Sequence, residues 1–482
     1  MRGKILYLFQ RKDSIMAVGT QARPIESSEP MKIAEAVLRY SFQTPNRKRG
    51  LWFHQGTYYH WYGNEWIIRN DEWIEDFLWR ELEDCYFEEI RDGNPIVRRL
   101  SPNRQKIENV MRALKAKVRF QKVSTPAWID RKGMPEATEC IAFNDLIFDS
   151  RTGKTFERDE TWFDHVVLPC EFNPEAGCPT WHRCLDQWSK DDETWKTLLQ
   201  MYMGYCLLHH RKRAKWLLMH GKVRSGKGTI AKVLQSLLGQ ETFKSTSLDD
   251  IAGDFGLDGL QTCRVLLISE VSRLDTKSSE RAVRVLKQII GQDPISINIK
   301  FQRQLQNIVV NAAPIVQANE IPELPNKGRG LSSKMLILPF DISFEGREDP
   351  YLINKLMAEL PGIAQWCIEG AKLVTQGDKF VMPESASDAV EMYHLQNNPF
   401  DHFLEERFVK NPDGFVSTEY IWENWNDWIK CNHIRNVLIP RNQLVYKIQG
   451  ESSWDLSRFR QGGGGKRGLK GLSIRKIYKE II

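Results

Sequence analysis

Gly221-Lys222-Val223-Arg224-Ser225-Gly226-Lys227-Gly228-Thr229 is the stretch on which the reading of this 482-residue chain turns. It follows the phosphate-loop pattern G-x-x-x-x-G-K-[ST], with Gly228 set before the hydroxyl residue. Upstream, Lys215-Trp216-Leu217-Leu218-Met219-His220 is a short apolar run that predicts a buried strand. Downstream, Ile230, Val233, Leu234, Leu237 and Leu238 fall on one face of a helix that Gly239 stops. Strand, glycine turn and helix aim backbone N–H groups and a helix N-terminus at phosphate oxygens. Gly221, Ser225, Gly226, Lys227, Gly228 and Thr229 are therefore the expected nucleotide contacts. Lys227 reaches for the β- and γ-phosphates, and Thr229 assists Mg²⁺ or the α-phosphate.

Composition bounds what such a loop serves. The length predicts roughly three or four domains. Hydrophobic residues at 41% and charged residues at 27% give an ordinary globular balance. No run of eighteen apolar residues occurs, so no membrane partner is expected, and the basic-then-apolar start Met1–Phe9 is too short for a signal peptide. The expectation is a cytoplasmic protein. Nine cysteines stand singly, and the group Cys170, Cys178, His182 and Cys184 fits no zinc spacing, which favours buried thiols. Of the net charge of +6, residues 441–482 hold ten Lys or Arg against three Asp or Glu, leaving −1 for the rest. A basic C-terminal piece on a neutral body suggests contact with nucleic acid.

Along the chain, residues 51–69 alternate aromatic with small or polar residues and predict an antiparallel meander whose rings cover one sheet face. A helix capped by Asn70 or Asp71 follows, then one entered through Ser101-Pro102. Ile141–Asp149 reads as a strand pair and turn, with Asp145 and Asp149 as turn and surface residues. Thr194 to Leu208 reads as a helix leading into the loop.

Beyond the loop, Arg264–Glu270 is an apolar strand ending in an acid, the form of a Walker B segment, and Glu270 is the expected residue for orienting water and holding Mg²⁺. Asn144 to Asp149, Phe172-Asn173-Pro174, Cys178-Pro179 with Trp181, and Met203-Gly204-Tyr205 resemble the phage and plasmid primase–helicase family, of the poxvirus primase–helicase type within the superfamily 3 helicases. The similarity continues to about residue 375. Asn319-Glu320-Ile321-Pro322 matches that family's motif C, which implies that Asn319 hydrogen-bonds the attacking water or γ-phosphate. Lys300-Phe301-Gln302-Arg303 sits where the family has a hairpin gripping single-stranded DNA, a task suited to cations and an aromatic. The arginine-finger position holds Lys334, with Arg329 five residues earlier as the other candidate.

After about residue 400, three helices precede Arg458-Phe459-Arg460-Gln461-Gly462-Gly463-Gly464-Gly465-Lys466-Arg467-Gly468-Leu469-Lys470, a basic glycine hairpin. This predicts a winged helix, with Arg441, Lys447, Lys466, Arg467 and Lys470 on DNA. The expected fold is α/β: a phosphate-loop (AAA+-like) ATPase core with an α+β N-terminal region and a C-terminal winged helix. The expected divisions are residues 1–45, a primase–helicase family N-terminal domain 46–204, the ATPase core 205–345, a helical extension 346–390 and the winged module 391–482. The resemblance implies a ring-forming, hexameric replicative helicase using ATP and Mg²⁺, moving 3′-to-5′ on single-stranded DNA, with origin duplex and a separate primase or polymerase as further partners. Two other readings fit a phosphate loop: an ATP-switched origin-binding protein, and a nucleotide kinase.

Overall fold

The computed structural model describes residues 23–92, 94–120, 125–270, 276–299, 304–322, 331–397, 399–432, 439–460 and 465–475. By its contacts the chain divides into one unit ending at Val167 and another beginning at Leu168.

In the first unit, β1 (Arg23–Ile25) and α1 (Pro30–Ser41) lead into the meander β2 (Leu51–His54), β3 (Thr57–Tyr62) and β4 (Glu65–Arg69). Trp52 lies opposite Tyr59, and Trp61 opposite Trp66. Tyr58, Tyr59, Trp61 and Trp66 are buried, so these rings are packing surface. Next come α2 (Asp71–Leu82), β5 (Cys85–Arg91), β6 (Asn94–Arg99) and α3 (Arg104–Val118). Helices α1, α2 and α3 pack their apolar faces into one core with Leu51 and Tyr58. Asn70 caps α2 by accepting from Trp73 N at 2.8 Å. The expected Ser101-Pro102 entry is corrected: Ser101 stands at φ 48°, and the Asn103 side chain caps α3 by accepting from Lys106 N at 2.9 Å. The unit closes with β7 (Ala127–Trp128), β8 (Cys140–Ala142), β9 (Leu146–Asp149), β10 (Thr155–Glu157) and β11 (Trp162–Phe163). Asp149 is also corrected, from surface to buried. Its carboxylate accepts from Arg151 N at 3.0 Å and Thr152 Oγ1 at 2.5 Å, so it organises the turn after β9.

The second unit starts with α4 (Pro179–Ser189) and α5 (Glu193–Leu207). The sequence reading ends the N-terminal domain at 204, but these helices join the phosphate-loop unit because α5 packs along α10 (Leu360–Gln376). The two axes approach closely: a Cβ on Gly204 would lie 2.2 Å from Ala371 N, and one on Gly370 would lie 2.0 Å from Gln200 O. Between them in sequence run β12 (Trp216–Gly221), α6 (Lys227–Leu238), β13 (Phe243–Ser247), α7 (Leu248–Ala252), β14 (Val265–Glu270), α8 (Thr276–Gly291), the antiparallel pair β15 (Ile295–Ile297) and β16 (Leu305–Ile308), β17 (Ala313–Ala318), β18 (Met335–Phe340) and α9 (Leu352–Ala358). Strands β13, β14, β17, β12 and β18 form, in that order, a five-stranded parallel sheet. The apolar runs of β12, β14 and β18 suit strands covered on both faces, whereas β13, Phe-Lys-Ser-Thr-Ser at the sheet edge, is mostly half-buried. Since β17 lies beside β12 and the chain then crosses to β18 on its other side, the strand order reverses at β12. Ligands of open α/β sheets bind at the carboxyl ends of strands at such a switch point.

Helix α11 (Ser387–Asn397) puts Ala389 and Tyr393 into the core of this sheet. The expected module boundary at 390/391 therefore falls inside a helix that belongs to the core. The terminal piece is α12 (Pro399–Arg407), β19 (Phe408–Ser417), α13 (Thr418–Cys431), α14 (Arg441–Glu451), β20 (Ser457–Arg460) and β21 (Arg467–Ile474). Its antiparallel sheet has the order β19, β21, β20, over a core that includes Phe403, Trp425, Trp428, Leu444 and Leu469. Ser417 caps α13, its hydroxyl accepting from Tyr420 N at 3.3 Å. The sequence reading lacks β19. Its Asn411-Pro412-Asp413-Gly414 centre looks like a turn, and the strand takes it as an irregularity between Asn411 and Phe415.

Candidate nucleotide-binding site

The loop leaves β12 at Gly221 and enters α6 at Lys227, and both its fixed glycines are sterically required. Gly221 has φ 138°, and a Cβ there would lie 2.2 Å from Phe340 O. Gly226, the N-cap of α6, has φ 102° and ψ −10°, and its Cβ would lie 2.4 Å from Trp188 Nε1. Gly228 faces open space. The outer wall is the stretch after β18: Lys222 N donates to Phe340 O at 2.9 Å, Phe344 N to Arg224 O at 2.9 Å, and Ser343 Oγ to Val223 O at 3.0 Å.

Lys227 is buried, and that burial holds its ammonium below the usual lysine range. Nζ donates to Gly221 O at 2.8 Å, Lys222 O at 2.6 Å, Ser225 Oγ at 3.2 Å and Asn319 Oδ1 at 3.2 Å. Burial, followed by the Lys227 charge, also lowers the pKa of His220, so a second cation beside the loop is disfavoured. Asn319 is the first residue after β17, the strand next to β12. Glu270 is the last residue of β14, which pairs with β17 on its other side. Three segments distant in sequence thus end on one edge of the sheet. Gln317, which sequence reasoning passed over, donates to Lys227 O at 2.8 Å and ties β17 to the first turn of α6.

Lys334 lies elsewhere in the unit. It ends a short 3₁₀ turn just before β18, and β18 runs parallel to β12 from Met335 opposite Trp216 to Phe340 opposite Gly221. Six strand residues at about 3.3 Å each separate Lys334 from its own loop by about 20 Å. Beside it, Lys215 Nζ donates to Ser333 O at 3.1 Å, and burial and then the Lys334 charge lower the Lys215 pKa. Arg329 lies outside the described residues, as do Lys300, Phe301 and Arg303, although β15 and β16 on either side pair as the expected hairpin. Asn298 Nδ2, in that hairpin, donates to Asp254 O at 3.1 Å, next to Phe255, which is 54% exposed. Nothing in the local sequence marks Phe255, because only a tertiary contact brings its loop to the hairpin.

In the terminal piece Arg441, Lys447, Lys466 and Arg467 are exposed, and Lys470 is half-buried. Arg441 pairs with Glu419 at 3.2 Å. Arg460 is opposite Arg467 across β20 and β21, and the Arg458 guanidinium lies 4.2 Å from the centre of the exposed Tyr446 ring. Cys170, Cys178 and Cys184 are buried, and burial pushes the Cys178 and Cys184 thiols up to about 11. No helix among the described residues is long and apolar enough to cross a membrane.

Residues 219–331 match the sequence profile of a family of unknown function (DUF5906). No curated protein matches the chain. Similar solved structures include an apo structure of the NrS-1 C-terminal region, at 13% identity and a TM-score of 0.49 over 92% of this chain and 100% of that one. An A-form apo structure of the same region is similar at 12% identity and a TM-score of 0.45, with the same coverage. Another A-form apo structure of it matches at 12% identity and a TM-score of 0.45 over 87% of this chain and 96% of that one.

Proposed function

We propose that this chain is an ATP-driven DNA helicase of a phage or other mobile element, acting as a ring of subunits on single-stranded DNA. The observation that carries this reading is the 3.2 Å contact between Lys227 Nζ and Asn319 Oδ1, which joins the phosphate-loop lysine to the asparagine of motif C. A nucleotide kinase needs no such residue at the end of the strand beside its loop. ATP with Mg²⁺ suits the donor set. Gly221 and Gly226, both at positive φ, let the loop backbone pack against Phe340 O and the Trp188 ring, and Lys227 supplies a cation held by oxygens that a phosphate chain can replace. Bound ATP would supply a γ-phosphoryl group for hydrolysis. For this chain's residues, the reading assigns phosphate binding to Gly226 and Lys227, metal and phosphate support to Thr229, orientation of water to Glu270, and hydrolysis sensing to Asn319.

The DNA-facing elements follow the same reading. The hairpin between β15 and β16, with Phe255 beside it, grips single strands through cations and aromatic stacking, worth roughly 1–3 kcal/mol per base. The terminal piece has the element order of a winged helix. Its Arg458, Arg460, Lys466 and Arg467 would sit on phosphates, with Tyr446 and Lys447 on the helix that enters a groove. The reading includes a primase or polymerase acting as a separate partner. Strand displacement with single-stranded tails of opposite polarity tests it: displacement requiring ATP and a 3′ tail supports the helicase, and wild-type protein that binds ATP but shows no DNA-stimulated turnover or displacement replaces it with a switch.

A further inference from the structure

Helix α4 ends against the phosphate loop, and its sequence explains how. Cys178-Pro179 starts it, and the Glu359 carboxylate accepts from Thr180 N at 2.9 Å and Trp181 N at 3.0 Å. Trp181 and Trp188 lie seven residues apart on one helix face, with rings edge to face at 5.7 Å. Lys190, at φ 55°, terminates the helix and pairs through Nζ with Asp341 Oδ2 at 3.1 Å, next to the Phe340 carbonyl that braces Lys222. The helix is therefore fixed at both ends, and the Trp188 indole lies with its face against Gly226, Nε1 nearest.

Trp188 is only 5% exposed. The atom closest to where a Gly226 side chain would be is Nε1, at 2.4 Å, followed by Cε2 at 2.5 Å. Among the described residues no protein group accepts from this N–H, yet it is not sealed from solvent as the indole nitrogens of Trp61, Trp66 and Trp181 are. A buried ring that keeps a donor open beside the α6 N-terminus has a use when an anion is bound there.

We infer that Trp188 is a nucleotide-binding residue whose indole N–H donates to a phosphate oxygen of the nucleotide held by Lys227. The inference rests on the phosphate-loop reading above. A hydrogen bond to a charged oxygen outweighs a neutral one, so removing it should weaken binding roughly tenfold. Equilibrium binding of ATP and of tripolyphosphate by the full chain tests this in wild type, Trp188→Phe and Trp188→His, with thermal unfolding recorded for each. The phenylalanine variant should lose about tenfold for both ligands, and histidine, which restores a ring N–H, should recover part of it. Equal binding by wild type and Trp188→Phe overturns the proposal. Equal losses in Trp188→Phe and Trp188→His overturn it too, by reducing the ring to a wedge under Gly226. A loss seen with ATP but not tripolyphosphate moves the donor to the sugar or base and overturns the phosphate assignment. If Trp188→Phe fails to fold, the comparison of Trp188→His with wild type carries the test: a loss near tenfold with both ligands overturns the donor role, and retained binding supports it. Absence of ATP binding by wild type is a different result, the failure of the phosphate-loop reading itself.

Discussion

Lys227 shares one ammonium among four oxygens, one of them from Asn319 at the end of a neighbouring strand. Under the proposed function, Lys227→Ala should reduce ATP turnover to background. Asn319→Ala should still bind ATP but turn it over more slowly, on the order of 10²-fold, the size of losing one oriented polar group at a reacting centre. Steady-state ATPase and nucleotide-binding measurements separate the two effects. A second residue-scale outcome lies in the first unit. His60 is buried beside Phe42, Tyr62, Trp73 and Arg69, and burial followed by the Arg69 charge pushes its pKa down to about 4. The unfolded chain protonates His60 near pH 6.5, so between about pH 6.5 and 4 only the unfolded state takes up that proton. Stability from this group is complete above 6.5 and falls as pH drops through the window, by roughly 3 kcal/mol. Denaturant unfolding across that range should show wild type losing stability relative to His60→Phe towards acid, and a pH-independent difference removes His60 from this role.

At the scale of elements, the α5–α10 contact depends on two glycines. Gly204→Ala drives a methyl group into the Ala371 backbone, which cannot move without shifting a helix, so a loss of about 1–3 kcal/mol is expected in chemical denaturation. A wild-type midpoint for Gly204→Ala would show that the helices separate more easily than their packing indicates. The terminal piece is a different kind of element, with its own core and its basic residues on the surface. Ending the chain after 397, so that α11 stays in the sheet core, should preserve ATP binding and weaken duplex binding. Binding by the intact chain should fall steeply with salt as counterions are released. Salt-independent duplex binding by the intact chain would contradict a basic DNA-binding module.

At the scale of the whole molecule, the proposed site residues stand at both ends of the parallel sheet. The loop, Glu270 and Asn319 stand at the carboxyl ends of β12, β14 and β17, while Lys334 stands before β18, about 20 Å from its own loop. Under the proposed function, a finger so placed would serve a neighbouring subunit. Lysine is a point charge without the planar fork of arginine, so its effect should fall below the roughly 10³–10⁵ that an arginine supplies. Lys334→Ala and Lys227→Ala subunits, each inactive alone, should regain part of the ATPase when mixed, because some interfaces then combine an intact loop with an intact finger. If Lys334→Ala alone turns over ATP normally and Arg329→Ala does not, the role passes to Arg329; full activity of both and of the double variant ends the idea of a shared site.

Glycine spacing, an apolar strand and a helical stripe determined the loop, because phosphate binding imposes a local pattern that a few consecutive residues satisfy. The same holds for the meander, for the Asn70 cap and for the strand ending at Glu270, all set by neighbours in sequence. Tertiary structure decided what depends on distant partners. It put Asn319 on Lys227 across 92 residues, because strand order is fixed by sheet packing and leaves no trace in either segment alone. It moved α4 and α5 into the phosphate-loop unit through the glycine contacts with α10, buried Asp149 in a turn, and brought Phe255 to the hairpin through one backbone carbonyl. It also set the Trp188 indole against Gly226, a contact between a tryptophan and a glycine 38 residues apart, which no periodicity predicts because it exists only once α4 is clamped between Glu359 and Asp341.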